Sequence, residues 1–259
     1  MKLVLKIGGA ALEDDVHVRA FAHTVVSLVQ QEHRVAVVHG GGATLTRTLR
    51  ELGHESTFVS GLRVTDARTR DVAVMVLAGH ANKRVVAAID AAGVPAAGLC
   101  GSDLGLMRAA KKLHAADLGF VGEVRTVDWR WIDLLWSAGA VPVIASMAPG
   151  PGGELYNVNA DEVASACAVA CSAHALIFLT DVPGVRDANG GVIARLSAGL
   201  VPQLVRTCTI SGGMLPKLEA CTRALDGGVG SVRILPAARV ESLPQLADGS
   251  LQDGTEVVM

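Results

Sequence analysis

The chain has 259 residues, 50% of them hydrophobic and 19% charged, so it can build a large core and is too poor in charge for intrinsic disorder. Its length fits one large α/β unit or two lobes on a shared core. A net charge of −2, no Lys/Arg run longer than a pair and 3% aromatics argue against a nucleic-acid surface, a base-stacking RNA module or a carbohydrate platform.

The elements follow in chain order. Short aliphatic runs at 3–7, 35–39, 96–99, 141–145, 176–180 and 232–235 read as strands, and apolar residues at helical spacing over 14–32, 44–52, 66–92, 128–137, 160–171 and 213–225 read as helices. This alternation predicts a buried, mainly parallel sheet. Asp14, Asp66 and Asp128 stand where N-caps are expected. Residues 101–126 show no clear period and read as a hairpin or excursion at one edge. The Pro/Gly stretch 148–153 is either a lobe boundary or a single loop. The first strand begins at once, so no signal peptide is expected, and runs such as 35–38 and 175–179 fall far short of the ~18 residues of a membrane span. Cys100, Cys167, Cys171, Cys208 and Cys221 are odd in number and lack C-x-x-C spacing, which argues against a disulfide framework or zinc site and for the reducing cytoplasm. Cys167 and Cys171 read as small core residues. His17, His23, His33 and His54 read as mostly solvated, and Trp129, Trp131 and Trp136 as anchors of a helix on the sheet.

Glycine clusters mark the candidate site. Gly8-Gly9 and Gly40-Gly41-Gly42 each follow a strand, and Gly212-Gly213 precedes a helix. Beyond strand ends, glycine lets backbone N–H groups reach an anion while the next helix N-terminus adds its dipole. Any one cluster could equally be a tight turn; three together point to a polyanionic ligand. No G-x-x-x-x-G-K-[ST] occurs, and Leu45 replaces the third glycine of G-x-G-x-x-G, which weakens a P-loop NTPase and an NAD-dependent dehydrogenase. Lys6 lies in a buried strand, where its ammonium must leave the sheet end because an unpaired buried charge is costly. Lys217 lies near a helix start, where a cation calls for an anion; an exposed helix lysine stays open. Alternation puts Asn157, Asn159 and Asp161 toward one side before a helix, although Asp161 also suits a helix N-terminus. Arg63, in an apolar setting, suits a carboxylate. Asp181 ends a strand in the Pro183-Gly184 turn, which fits a nucleotide or a simple chain reversal.

In order and spacing, Lys6–Gly9, His39–Gly42, Gly61–Thr65, Asn157–Asp161, Thr180–Gly184 and Gly212–Lys217, with Gly254-Thr255 before a closing strand, resemble the amino acid kinase family over essentially the whole chain. The resemblance implies a three-layer αβα sandwich around a mainly parallel open sheet. It implies one domain, 1–259, with an acyl amino acid lobe at 1–173 and an ATP lobe at 174–259. The implied reaction is ATP-dependent phosphorylation of the side-chain carboxylate of N-acetyl-L-glutamate to N-acetyl-L-glutamyl 5-phosphate and ADP, in arginine biosynthesis. Lys6 and Lys217 would flank the phosphoryl group and Asp161 would orient both. Gly8, Gly9, Gly41 and Gly42 would offer N–H groups, and Arg63 and Asn157 would hold the other carboxylate. Asp181, Pro183, Gly184, Gly212 and Gly213 would serve ATP. Mg2+ would ride on the ATP phosphates with no protein ligand. A cytoplasmic homodimer insensitive to arginine, without nucleic-acid or membrane partners, is the further expectation. Ala43 and Ser102 depart from frequent proline and lysine and bear on substrate identity. A kinase of another N-blocked amino dicarboxylate, such as an acetylated or carrier-linked aminoadipate, and a non-catalytic sensor are the alternatives.

Overall fold

The computed structural model describes residues 1–206, 212–246, 250 and 253–259; Cys208 lies outside them. A sheet of eight strands forms the centre, in the order β12-β14-β13-β11-β1-β2-β8-β5. Its members are β1 (Lys2–Ile7), β2 (Arg34–His39), β5 (Ala96–Leu99), β8 (Val141–Ala145), β11 (Ala175–Thr180), β12 (Arg195–Ser197), β13 (Ser231–Pro236) and β14 (Thr255–Val258). All neighbours run parallel except β13 and β14. Each of the six strands read from the sequence is present. The short edge strand β12 went unread.

Alternation along the strands separates two cores. Leu3, Leu5 and Ile7 of β1 join Val35 and Val37 of β2 on one face. Helices α1 (Asp15–Gln30) and α4 (Asn82–Ala91) pack there. Val4, Ala36, Val38 and Phe178 face the other way, toward α5 (Arg130–Ser137), α6 (Ala160–Ala170) and α8 (Met214–Asp226). The result is the expected αβα sandwich. By the same parity Lys6 shares Val4's face and His39 shares that of Val37.

Helix α2 (Gly42–Glu51) follows β2, and the hairpin β3 (Phe58–Val59) and β4 (Leu62–Arg63) follows α2. Helix α3 (Ala67–Ala73) then runs through a π-helical segment, Val74–Ala81, directly into α4. This continuous stretch, Ala67–Ala91, is the one helix among the described residues long and apolar enough to cross a membrane by length and composition. No single apolar run reveals it, because its apolar residues are spread over several turns. Val72, Val76, Leu77, Val85 and Ile89 are buried, so the apolar content serves packing here.

Residues 101–126 hold β6 (Met107–Lys111) and the start of β7 (Val121–Val127). These pair with β10 (Leu155–Val158) and β9 (Met147–Pro149) into a second sheet, β6-β7-β10-β9. The Pro/Gly stretch is the turn between β9 and β10, where Gly150 N donates to Glu154 O at 2.8 Å. The short α7 (Val201–Arg206) precedes α8.

Asp14 and Asp66 cap α1 and α3 as predicted, accepting from Val16 N and Thr69 N. Asp128 does not cap α5. The helix begins after Trp129, and Asp128 instead takes both the backbone and the guanidinium of Arg130. Trp136 is a buried anchor, donating its indole N–H to Val35 O at 2.8 Å, and the half-buried Trp131 packs against the same core. Trp129 is 43% exposed.

Candidate active site

At the carboxyl ends of β1, β2 and β11 the chain turns into loops that lead to helices, and the N-termini of α2, α6 and α8 open there. Two cavities meet on Lys6, Gly8 and Gly9. One, of about 220 Å³, is bounded by Gly40–Gly42, Arg63, Asn157 and Asp161. The other, of about 420 Å³, is bounded by Thr180, Asp181, Gly213, Met214 and Lys217.

Between them lies a buried charge cluster. Asp161 Oδ1 pairs with Lys6 Nζ at 2.8 Å and Oδ2 with Lys217 Nζ at 2.9 Å. The three side chains come from β1, the first turn of α6 and the first turn of α8. Asn159 makes the α6 terminus by accepting from Asp161 N at 2.8 Å and Glu162 N at 3.3 Å. Phe178, on the same sheet face as Lys6, lies beneath Lys217 Nζ with its ring centre 5.1 Å away. Burial opposes ionisation of Asp161, but Lys6 and Lys217 outweigh it and hold the carboxyl at about 2. Asp161 is therefore an anion at neutral pH and no proton acceptor. Burial, and then repulsion from Lys6, lower the pKa of Lys217 against the attraction of Asp161. Two ammonium groups on one carboxylate leave one excess positive charge in a poorly solvated place, which an incoming anion would balance.

Arg63 projects into the first cavity. Its guanidinium donates to Gly42 O at 3.0 Å, to Thr46 Oγ1 at 2.7 Å and to Ser56 Oγ, and stacks 4.6 Å from the Phe58 ring centre. Burial lowers its pKa. Among the described residues no carboxylate pairs with it, so its charge faces the cavity uncompensated. Asn157 bounds the same cavity and donates to Thr65 Oγ1 at 3.3 Å.

The structure thus brings together Lys6, Gly8, Gly9, Gly41, Gly42, Arg63, Asn157, Asp161 and Lys217, with Asp181 and Gly213 on the second cavity. Gly212 is exposed and Pro183 and Gly184 do not bound that cavity. Gly184 packs instead against Thr255 and Val192.

Residues that the sequence did not reveal complete the surroundings. Glu162, buried, accepts from Val124 N at 2.7 Å and Lys112 Nζ at 3.1 Å, tying the second sheet to the start of α6. Ser146 bounds the first cavity. His39 is fully buried. Burial pushes its pKa down to about 4, against its bond to Gly40 O and with a smaller push from Lys6.

This depressed pKa sets an acid dependence. Between about pH 6.5 and 4 the unfolded chain binds a proton at His39 that the folded protein refuses, so stability falls as pH falls through that window. We expect the wild-type protein to lose about 2 kcal/mol more unfolding free energy than His39→Asn between pH 7 and 4.5, read by urea titration. Equal losses would contradict the neutral, buried imidazole.

Residues 1–236 match the amino acid kinase family. The chain is 61% identical to the acetylglutamate kinase of Koribacter versatilis, covering 100% of this chain and 99% of that protein. It is 55% identical, with the same coverage, to the acetylglutamate kinase of Acidobacterium capsulatum. In structure it resembles a Streptococcus mutans protein, smu.665, with a TM-score of 0.85 at 28% identity over 99% and 98% of the two chains. It also resembles the N-acetylglutamate synthase of Neisseria gonorrhoeae, with a TM-score of 0.87 at 25% identity, and spans 100% of itself but 59% of that longer chain. Glycine loops at two strand ends and before a helix, two lysines on one buried aspartate and a match along most of the sequence have a single explanation: the chain belongs to the amino acid kinase family.

Proposed function

We propose that the protein is an acetylglutamate kinase, transferring the γ-phosphoryl group of ATP to the side-chain carboxylate of N-acetyl-L-glutamate in arginine biosynthesis. The Lys6–Asp161–Lys217 cluster between two cavities is the observation that carries this reading. The first cavity takes the acyl amino acid, with Arg63 and Asn157 on its α-carboxylate. The second takes ATP, beside Asp181 and the N-terminus of α8. Residues 1–173 thereby form the acyl amino acid lobe and 174–259 the nucleotide lobe, with β1 reaching into both sites.

Phosphoryl transfer asks a protein mainly for alignment and charge neutralisation. The acceptor carboxylate, with an ordinary pKa near 4.3, is already ionised at neutral pH, so no general base is required. Lys6 meets the transferring group and acceptor oxygens, Lys217 the leaving β-phosphate oxygen, and Asp161 keeps both ammonium groups aimed. Among the described residues no cluster of three His, Cys, Asp or Glu side chains is placed to hold a metal ion, and the exposed Asp181 is the carboxylate bordering the nucleotide cavity. One carboxylate beside the nucleotide cavity fits Mg2+ carried mainly on the ATP phosphates. Bound there, it would neutralise charge on the β- and γ-oxygens. Cys100, Cys167, Cys171 and Cys221 are free thiols, which supports work in the cytoplasm.

The reading includes a homodimer, for which Met75, 68% exposed on the apolar helix Ala67–Ala91, offers surface to bury. Sedimentation velocity checks this; a monomer at micromolar concentration contradicts it.

The α-carboxylate keeps its charge throughout the reaction, so Arg63 contributes binding that is equal in ground and transition states. Arg63→Ala should raise the KM for N-acetyl-L-glutamate by about 10-fold or more, the worth of a charge-assisted bond, and leave that for ATP within about twofold. An unchanged acyl KM would remove Arg63 from the site.

Hydroxylamine trapping of the acyl phosphate tests the function itself. With ATP, N-acetyl-L-glutamate should give the hydroxamate at higher kcat/KM than N-acetylaspartate or N-acetylaminoadipate. A preference for aminoadipate would shift the substrate. No product from any of the three would overturn the kinase reading.

A further inference from the structure

His39 closes β2 directly before the glycine triplet, on the sheet face opposite Lys6, where α4 packs. Its two ring nitrogens each have a partner. Nδ1 lies 2.8 Å from Gly40 O, and Nε2 lies 3.0 Å from Asn82 Nδ2. The same Asn82 nitrogen is 2.9 Å from Val143 O, while Asn82 Oδ1 accepts from Lys83 Nζ at 3.3 Å. These partners fix the protons by elimination. A carbonyl only accepts, so the group facing Val143 O is the amide NH2; that group only donates, so Nε2 is the acceptor. The imidazole proton therefore sits on Nδ1 and is donated to Gly40 O.

The consequence reaches the cavity through peptide planarity. Gly40 C=O and Gly41 N–H belong to one planar trans unit and point in opposite directions. Holding the carbonyl toward the imidazole turns the Gly41 N–H away from it. The preceding unit is fixed too, since Gly40 N donates to Ile7 O at 3.2 Å.

The partner helix is shaped to reach this place. Asn82 follows the π-helical segment Val74–Ala81, whose wider turns shift the helix face that meets the sheet; such segments recur at functional sites. The segment also presses on the loop: a Cβ on Gly41 would stand 2.8 Å from Leu77 Cδ2. On the far side, a Cβ on Gly98 of β5 would come within 2.0 Å of Asn82 Oδ1, so only glycine leaves room for the amide.

We infer that His39 and Asn82, carried by the π-helical buttress, are a positioning pair for the proposed reaction: they aim the Gly41 backbone N–H at the acceptor. Neither side chain bounds the cavity. The inference rests on the first cavity being the acyl amino acid site. A neutral ring agrees with it, because an imidazolium would present a second N–H to a group that can only donate.

Two conservative variants separate the ends of the ring. His39→Asn places an amide N–H where Nδ1 stood and keeps the bond to Gly40 O. His39→Gln reaches toward Asn82 instead and gives that bond up. We expect His39→Asn to stay within about threefold of wild type. His39→Gln should raise the acyl substrate KM about tenfold, the usual scale of one lost buried hydrogen bond, with the ATP KM within about twofold. Equal effects of the two variants, or parallel rises in both KM values, would overturn the inference. Nitrogen-15 spectra of the wild-type imidazole give a second readout, independent of activity and of the variants' folding. A protonated Nδ1 with bare Nε2 at pH 7 is expected; the opposite tautomer or a cation would overturn the inference. If the spectra show that tautomer while no acyl amino acid is phosphorylated, the functional reading fails separately.

Discussion

Lys217→Ala should lower kcat by about 10²–10³, and Lys6→Ala by a similar factor, equivalent to about 2.7–4 kcal/mol of transition-state stabilisation for each preorganised donor. The physical reason is where charge grows. As the β–γ bridge breaks, negative charge gathers on the leaving oxygen, where the proposed mechanism puts Lys217; its side chain is buried, at 7% exposure, so little water can take its place. In the same proposal Lys6 meets the transferring group from β1. Both ammonium groups are held before substrate arrives by the 2.8 Å and 2.9 Å contacts to Asp161, so no reorganisation is needed during the reaction. Arginine should rescue neither position well. A planar fork cannot occupy the place of a compact ammonium above Phe178 without displacing the phosphoryl group. Steady-state kinetics with circular dichroism to confirm folding provide the check, and retention of more than about a tenth of wild-type kcat by both alanine variants would contradict the assignment.

Asp161→Asn is the second large effect. The substitution keeps the shape and removes the one negative charge between two lysines, leaving two buried ammonium groups to repel each other. Lys217, whose pKa burial and Lys6 already lower, should lose its proton more readily still. The variant's kcat should fall by about 10² or more at pH 7, and the alkaline limb of its pH profile should move to lower pH. Its loss should also overlap those of the lysines, because one carboxylate orients both. The double variant Asp161→Asn with Lys217→Ala should then fall well short of the product of the single losses. Additive losses, or an unmoved alkaline limb, would show that Asp161 acts apart from Lys217.

The parts of this site that the sequence made legible are those in which local chemistry is at odds with local pattern. A lysine inside an aliphatic strand, glycines at strand ends and a lysine in the first turn of a helix each ask for an anion nearby. Strand parity then puts Lys6 on the face shared with α6 and α8. His39 shows the limit. It ends an apolar run, and its parity with Val35 and Val37 marks it as inward-facing. Nothing local names Asn82, 43 positions away, as its partner, and a π-helical shift leaves no trace in a 3.6-residue pattern. Glu162 resembles any acidic residue at a helix start until the hairpin of β6 and β7 folds over it and supplies Lys112 and Val124 N. That hairpin resisted reading because its strands belong to a separate small sheet in which β7 pairs with the distant β10, Val121 opposite Asn157. The Pro183-Gly184 turn shows a different limit: its anchor lies far away in sequence, where Val185 N donates to Thr255 Oγ1 at 2.9 Å, and nothing in the local Pro-Gly pattern names that partner.

The most direct test of the lysine–aspartate–lysine account is a single-turnover measurement of phosphoryl transfer from ATP to N-acetyl-L-glutamate at saturating concentrations, comparing wild type with Lys217→Ala. This separates chemistry from binding and product release. The account predicts that the transfer rate drops at least about 10²-fold while the Kd for ATP changes far less, because the charge that Lys217 stabilises appears only as the bond breaks. An unaltered transfer rate with weakened ATP binding would contradict it, leaving Lys217 as a ground-state phosphate clamp alone.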